Sequence, residues 1–290
     1  MRLFRSLLRL KKADINNTLD KPSLPGSQWV RRGLILVVVG YVGILILGPV
    51  FTLIFSALSD GVIPLFEAIT KPHVLSAVWM TFWIALIVIF VHTLFGTIVS
   101  WIMVRDRFIG RWVLNGLIDI PFAVSSVVAG YMLLLLFGRN SFLAPALDAL
   151  GIRVAFAAPG MVLATLFVTL PFMIRELIPV LEEIGTTQEK AAATLGANGI
   201  QTFFRVTLPA LKPGLIYGLT LTFARALGEF GAVLIIGGGI IGRTETLTVY
   251  IYRALDDRQY IGAYGAGLLL GVISVVLVLG TDWIRRRTQR

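Results

Sequence analysis

The chain contains no cysteine and only two histidines, His73 and His92. Without thiols it can form no disulfide, cysteine redox centre or thiolate metal site. Neither histidine lies beside carboxylates at ligand spacing, so no metal and no other cofactor is expected, and both read as interfacial or packing residues. Nucleotide chemistry is missing as well. No G-x-x-x-x-G-K-[ST] run is present to cradle phosphates, so the chain cannot power work through the usual ATPase chemistry by itself. Gly237, Gly238 and Gly239 match such a loop in composition alone, lack the following Lys-Ser/Thr pair, and read as a flexible turn. A nucleophile-elbow G-x-S-x-G is absent too, and no paired constellation fits an intramembrane protease. The chain therefore reads as a protein that is not an enzyme. Charge is the last scarcity: Asp, Glu, Lys and Arg make up 14% of the residues, against about a quarter in soluble domains.

What fills the chain is apolar side chains, 57% of the 290 residues. Runs long enough to cross a hydrocarbon core of about 30 Å lie at 33–58, 75–104, 112–137, 159–181, 214–237 and 262–284. They predict an all-α polytopic membrane protein with six spanning helices and no internal repeat or second domain. The first run is too long and starts too late for a signal-peptide core of about 7 to 15 residues, and reads as a retained helix. The organisation is a cytoplasmic N-terminal segment 1–32, a first span 33–58, a membrane core 75–284 with a polar insert at 182–213, and a tail 285–290.

The formal net charge of +10 is distributed as a topology signal. Segments 1–32, 105–111, 182–213 and 285–290 hold 18 Lys and Arg, whereas 59–74, 138–158 and 238–261 hold 6. By the positive-inside rule both termini are expected in the cytoplasm. This distribution argues against nucleic-acid binding. Within the first twelve residues Arg2, Arg5, Arg9 and Lys12 fall at helical spacing beside Leu3, Leu7 and Leu10. Two readings stand: an amphipathic helix on anionic lipid, or a frayed basic tail. Residues 16–26, with Pro22 and Pro25, read as a linker.

The insert at 182–213 is the most informative segment, because spanning helices need only short turns between them. Thr186 and Glu189 stand in a Thr-x-x-Glu capping-box arrangement, which predicts a helix from Thr187 through Ala191, Ala192 and Ala193, ending at Gly196. A second short helix fits residues 199–207, with Pro209 expected to end it. Two short helices hinged at 196–199 suit a groove on a soluble partner, and an ordinary interfacial hairpin is the alternative.

Inside the apolar runs stand Asp119, Arg175, Glu176, Arg225 and Glu229. Each needs a partner, a cavity or a use, since a charge at the bilayer centre costs a few kcal/mol on insertion scales. Arg175 is close enough to a helix end to snorkel. Arg225 lies about 17 Å into the fifth run at 1.5 Å per residue, near the midplane. Arg225 and Glu229 share a helix face at i,i+4, so they form a mutual ion pair or line a pathway in which Arg225 offers N–H donors to an oxyanion. Gly228 and Gly231 would let a backbone or a substrate approach. In the third run Pro121 with Ser125 and Ser126 would either open backbone groups and hydroxyls to the same cavity, together with Asp119, or simply kink the helix. In the sixth run Ala263, Gly267 and Gly271 form a small-residue stripe suited to close helix contact.

Ala191, Ala192 and Gly196, followed by Val206, Thr207, Leu208 and Pro209, resemble the EAA motif of ABC importer permeases. Where that motif has Glu, six residues before the Gly, this chain has Lys190, with Glu189 next to it pointing in a different helical direction. The resemblance implies that Glu189, Lys190, Ala191, Ala192, Gly196, Val206, Leu208 and Pro209 dock an ATPase. Residues 117–125 and Arg225-Ala-Leu-Gly-Glu-Phe-Gly-Ala232 are similar to membrane subunits of sulfate/thiosulfate and molybdate importers, most of all to the W-type sulfate subunits, with Ser126 where Pro is the expectation. The likeness runs from about residue 33 to the C-terminus. It implies the type I ABC importer fold, a bacterial inner-membrane location, a heterodimer with a T-type permease, and two copies of an ATPase. It also implies a periplasmic or surface sulfate-binding protein, with sulfate or thiosulfate as cargo. Molybdate or tungstate is the alternative cargo. The contrasting functions are an ATPase-independent anion transporter and a structural subunit that never meets substrate.

Overall fold

A computed structural model describes residues 27–288. The basic line from Arg2 to Lys12 and the linker 16–26 lie outside the described residues. Among the described residues there are only helices and their connections: α1 (Ser27–Leu58), α2 (Val62–Ile69), α3 (Pro72–Arg105), α4 (Arg111–Ala123), α5 (Ser126–Phe137), α6 (Ala144–Ala149), α7 (Ala158–Ile184), α8 (Thr187–Thr194), α9 (Gly199–Thr202), α10 (Leu208–Leu227), α11 (Gly231–Gly237), α12 (Leu247–Asp256) and α13 (Tyr260–Thr288). Residues Phe203–Thr207 form a π-helical turn leading into α10.

Helix α1 is apolar all round, as a lipid-facing span must be, and contains Pro49. Its residues up to Leu53 belong to one compact unit, and a second unit begins at Ile54. In that second unit α3, α7 and α13 are each long and apolar enough to cross a membrane. Two further spans are helix pairs. The third run divides into α4 and α5, bent by 113°, and the fifth into α10 and α11, bent by 55°. Counting each pair as one span restores the six expected from the sequence.

The breaks have local causes. Pro121 in α4 has no N–H to offer the preceding turn, and the chain becomes extended at Val124 and Ser125 (ψ 130° and 140°) before α5 begins. The second break follows Gly228, whose N–H still closes α10 on the Ala224 carbonyl; two residues, Glu229 and Phe230, separate it from the restart of α11 at Gly231. Pro209 does not end a helix, contrary to the expectation. It sits in the first turn of α10, where a missing N–H costs little, and the π turn before it closes with the Leu208 N–H donating to the Phe203 carbonyl. The fifth span therefore starts at Leu208, six residues before the apolar run.

Helix α7 is the centre of the packing. Its Met173 occupies the spaces left by Gly96 on α3 and Gly218 on α10, where an added Cβ would stand 2.8 and 2.6 Å from the Met173 side chain. Such small residues let spans approach where lipid tails give no hydrophobic drive. His92 is buried between α3 and α7 and donates from Nε2 to Thr169 Oγ1 at 2.9 Å, while that hydroxyl donates to the Thr165 carbonyl. His73 lies against the Tyr250 ring. Both histidines are packing residues, as expected. Along the small-residue stripe of α13, Ala263 is buried within the subunit, whereas an added Cβ at Gly271 would meet open space and leaves that end of the stripe free for contact across a dimer interface.

Candidate functional site

Three places bring together polar residues singled out by the sequence. At the first, α8 begins at Thr187, and Gly196 takes φ +85°, the left-handed conformation that ends a helix and suits glycine. The Thr186–Glu189 capping box does not form, because Thr186 makes no side-chain cap. Glu189 turns towards the spans instead. Its Oε1 accepts from Arg105 Nη2 at 3.1 Å and from Thr207 Oγ1 at 2.9 Å. A capping box does form within the hinge, between Asn198 and Gln201, with bonds of 2.8 and 3.1 Å. Lys190, Ala191 and Pro209 are exposed, Ala192, Val206 and Leu208 partly so. Beside them Leu195 is 89% and Ile200 72% exposed. Apolar side chains this open, on a segment outside the six spans, form a surface ready for a partner.

At the second place the two breaks meet. An added Cβ at Gly231 would stand 2.6 Å from Ser126 Oγ and 3.1 Å from the Val127 nitrogen, and one at Gly130 would stand 2.7 Å from the Ala232 carbonyl oxygen. The half-helices α5 and α11 thus lie backbone to backbone, and Ala129, Ala232 and Ile236 seal them against Ala164 and Val168 of α7. At Gly228, in contrast, no other element comes close: an added Cβ would meet only the Ala224 and Arg225 carbonyl oxygens, at 3.7 and 4.0 Å. Ser126 lies inside this contact; Ser125 is exposed next to it.

Arg225 is in the last turn of α10 and Glu229 just past its end, so the pair forms across the helix terminus and not along one helical face. Arg225 Nη1 stands 2.6 Å from Glu229 Oε2, off the N–H direction, which makes the contact an ion pair and not a hydrogen bond. The other oxygen, Oε1, accepts from the Ala232 N–H at 3.1 Å and so covers the start of α11. Thr248 Oγ1 from α12 donates to the Glu229 carbonyl at 2.6 Å. The two members differ in access: the Glu229 side chain is 1% exposed and that of Arg225 33%. The carboxylate is built into the protein, while the guanidinium keeps N–H donors towards accessible space.

At the third place, Asp119 is brought to Arg175 and not to Arg225. Arg175 donates from Nε to Oδ1 at 2.8 Å and from Nη2 to Oδ2 at 2.5 Å, and also reaches the Asn115 carbonyl. This two-pronged pair ties α4 to α7, so Arg175 does not snorkel free as its position near a helix end predicts. A cleft of about 570 Å³ opens beside it, lined by Arg111, Trp112, Asn115 and Glu182 among others. The glycine turn is also firmer than expected, since Thr244 Oγ1 donates to the Gly237 carbonyl at 2.6 Å and accepts from the Ile240 N–H.

Two groups of residues escaped the sequence reading. Arg105 ends α3, 84 residues before its carboxylate partner, and nothing local marks it. Near α12, Arg253 Nε donates to Glu245 Oε1 at 2.7 Å and Nη1 to Asp257; the Glu245 bond above all keeps the guanidinium firmly protonated.

The whole arrangement has relatives. The family model described as "Binding-protein-dependent transport system inner membrane component" matches residues 92–290. "Sulfate permease 2, chloroplastic" of Chlamydomonas reinhardtii is 44% identical over 91% of this chain and 71% of that protein. "Sulfate transport system permease protein CysW" of Escherichia coli (strain K12) is 41% identical over 93% of this chain and 92% of that protein. Among solved structures, a chain of a bacterial alginate ABC transporter superposes with a TM-score of 0.76 at 18% identity, covering 90% of this chain and 96% of its own. A chain of the MetNI methionine ABC transporter gives 0.55 at 18% identity, covering 74% and 95%. Both share the fold. With paired half-helices, six candidate spans and a family match over more than half its length, this chain belongs to the inner membrane components of binding-protein-dependent transport systems.

Proposed function

We propose that the chain is the permease subunit of an ATP-driven importer of sulfate and thiosulfate, a bacterial inner-membrane protein with both termini in the cytoplasm. It forms half of the translocation pathway beside a T-type permease subunit. Two copies of a separate ATPase supply the energy, and a periplasmic or surface binding protein delivers the anion. The observation that carries this reading is α8 with its hinge: a helical segment outside the spans, tied to them by Glu189, and presenting Leu195, Ile200 and the Lys190–Ala191 face outward. Identity of 41–45% to sulfate permeases over most of the chain supports the cargo.

Arg225 is the residue through which the pathway is assigned. A tetrahedral dianion needs several N–H donors but must also leave, so one guanidinium with hydroxyls and backbone donors suits passage better than a cluster of cations. Glu229 neutralises the guanidinium while no anion is near, and Ser125 stands exposed by the neighbouring break. Asp119 has its charge met by Arg175 and serves this pathway by holding α4 in place.

The test replaces both members of the pair, Arg225→Gln with Glu229→Gln. Glutamine at 229 keeps an oxygen for the Ala232 N–H, so α11 keeps its cover while both charges go. The complete complex is reconstituted with its ATPase, partner permease and binding protein, and uptake of labelled sulfate is measured. Normal assembly with sulfate uptake reduced more than about tenfold is the expected result. Uptake at the parent rate would make the pair purely structural.

A further inference from the structure

The docking helix α8 has no buried residue, so apolar packing alone holds it weakly. Its polar tie is unusual in reach. Arg105, the last residue of α3, donates from Nη1 to the Leu181 carbonyl at 3.2 Å and from Nη2 to the Gly185 carbonyl at 2.6 Å. Both carbonyls lie at the C-terminal end of α7, where a cation is favoured; that of Leu181 also accepts the Gly185 N–H at 3.3 Å. The same Nη2 continues to Glu189 Oε1 on α8, and that one oxygen also takes the hydroxyl proton of Thr207, the residue before α10. The side chains of Arg105 and Glu189 are 12% and 16% exposed, enough shelter from water for the ion pair to outlast ordinary surface contacts. Four elements, α3, α7, α8 and the entry to α10, converge on one guanidinium and one carboxylate. Turning Glu189 inward leaves Lys190 as the only charged side chain on the open face of α8.

We infer that Arg105 is a positioning residue for energy coupling: it locks the docking helix to three spans, so that displacement of α8 by the ATPase moves α3, α7 and α10 together. The inference rests on the proposed docking role of α8 and goes beyond it. Docking needs only the outer face of the helix, whereas Arg105 acts on the inner one.

The reconstituted complex distinguishes the two. Retention of the ATPase by the unmodified chain is measured first; its absence would refute the docking role and the lock with it. Arg105→Gln and Glu189→Gln are then compared with the parent for sulfate transported per ATP hydrolysed. Glu189 is held by Arg105 and Thr207 and so is not part of the outer docking face. Each variant is therefore expected to retain the ATPase and to hydrolyse ATP, while the ratio falls about fivefold or more. The double variant is expected to be no worse than the worse single one, because both remove the same link. Arg105→Lys, which keeps the charge but not the fork that spans three oxygens, is expected to fall between. A residue that served stability alone would lower the yield of complex and leave the ratio unchanged. Should Arg105→Gln fail to assemble, Glu189→Gln decides by itself, since it keeps the size of the side chain and an acceptor for Thr207. A parent ratio in that variant, with the ATPase bound, overturns the inference.

Discussion

Two of the arginine–glutamate pairs among the described residues work in opposite ways. Arg225 and Glu229 are four residues apart, so bringing them together orders almost no chain, and the carboxylate disappears into the protein at the meeting of two half-helices. Arg105 and Glu189 are 84 residues apart, and their contact joins elements that only the finished fold makes neighbours. The near pair settles a charge that the membrane would otherwise penalise. The distant pair settles a position, because its atoms are shared among helix ends. A short-range ion pair therefore reads as neutralisation and a long-range one as alignment, and the two should fail differently.

The largest effect is expected from breaking the near pair on one side only. Glu229→Ala strands a guanidinium that is only partly exposed and also leaves the buried Ala232 N–H without its acceptor, which by itself costs about 1–3 kcal/mol. Thermal unfolding in detergent and the yield of folded protein should both drop sharply, and a variant as stable as the parent would mean that the pair does not neutralise. A smaller effect is expected from Gly130→Ala, which forces a Cβ to within 2.7 Å of the Ala232 oxygen. Overpacking of this kind costs about 1–3 kcal/mol. The expected shift in melting temperature, with ATPase retention unchanged, would show the meeting of α5 and α11 to be independent of the docking end; loss of the ATPase would erase that separation. The smallest effect on the protein itself belongs to Leu195→Asp combined with Ile200→Asp, since both side chains already face water. Stability should be unaltered, while ATPase retained in pull-down falls about tenfold, equivalent to about 1.4 kcal/mol. Full retention would move the docking surface elsewhere.

The pattern of what could be read in advance follows the same division between near and far. Six apolar runs, the start of α8 at Thr187, its end at Gly196 and the Arg225–Glu229 pair are all local properties, and each is present in the structure. The break near Pro121 was legible as an open helix, though not its angle of 113°, which depends on α11 packing against α5. The capping box at Thr186 satisfied a local rule and lost to a tertiary competitor, since Arg105 offers Glu189 a charged donor where the backbone offers a neutral one. The box at Asn198 and Gln201 fits the same rule and was there to be found. Pro209 leaves the helix unbroken because the turn before it is π, closed by the Leu208 N–H on the Phe203 carbonyl, and nothing in the sequence marks that turn. Arg105 and the Asp119–Arg175 pair had no signal within a helix-length window, being separated by 84 and 56 residues from their partners.

The π turn at Phe203–Thr207 has a consequence for handedness of presentation. Each residue of an α-helix advances the side chains by about 100°, and a π turn accommodates one residue more than an α turn. The continuous helix from α9 into α10 therefore carries a phase slip: side chains upstream of Phe203 are rotated by about 100° from where the period of the span would place them. Ile200, counted back along α10 as though the helix were regular, would face another direction. Loss of a single residue from this turn would leave an unbroken helix and every span intact, yet would dial the hinge surface round to present a different face outward.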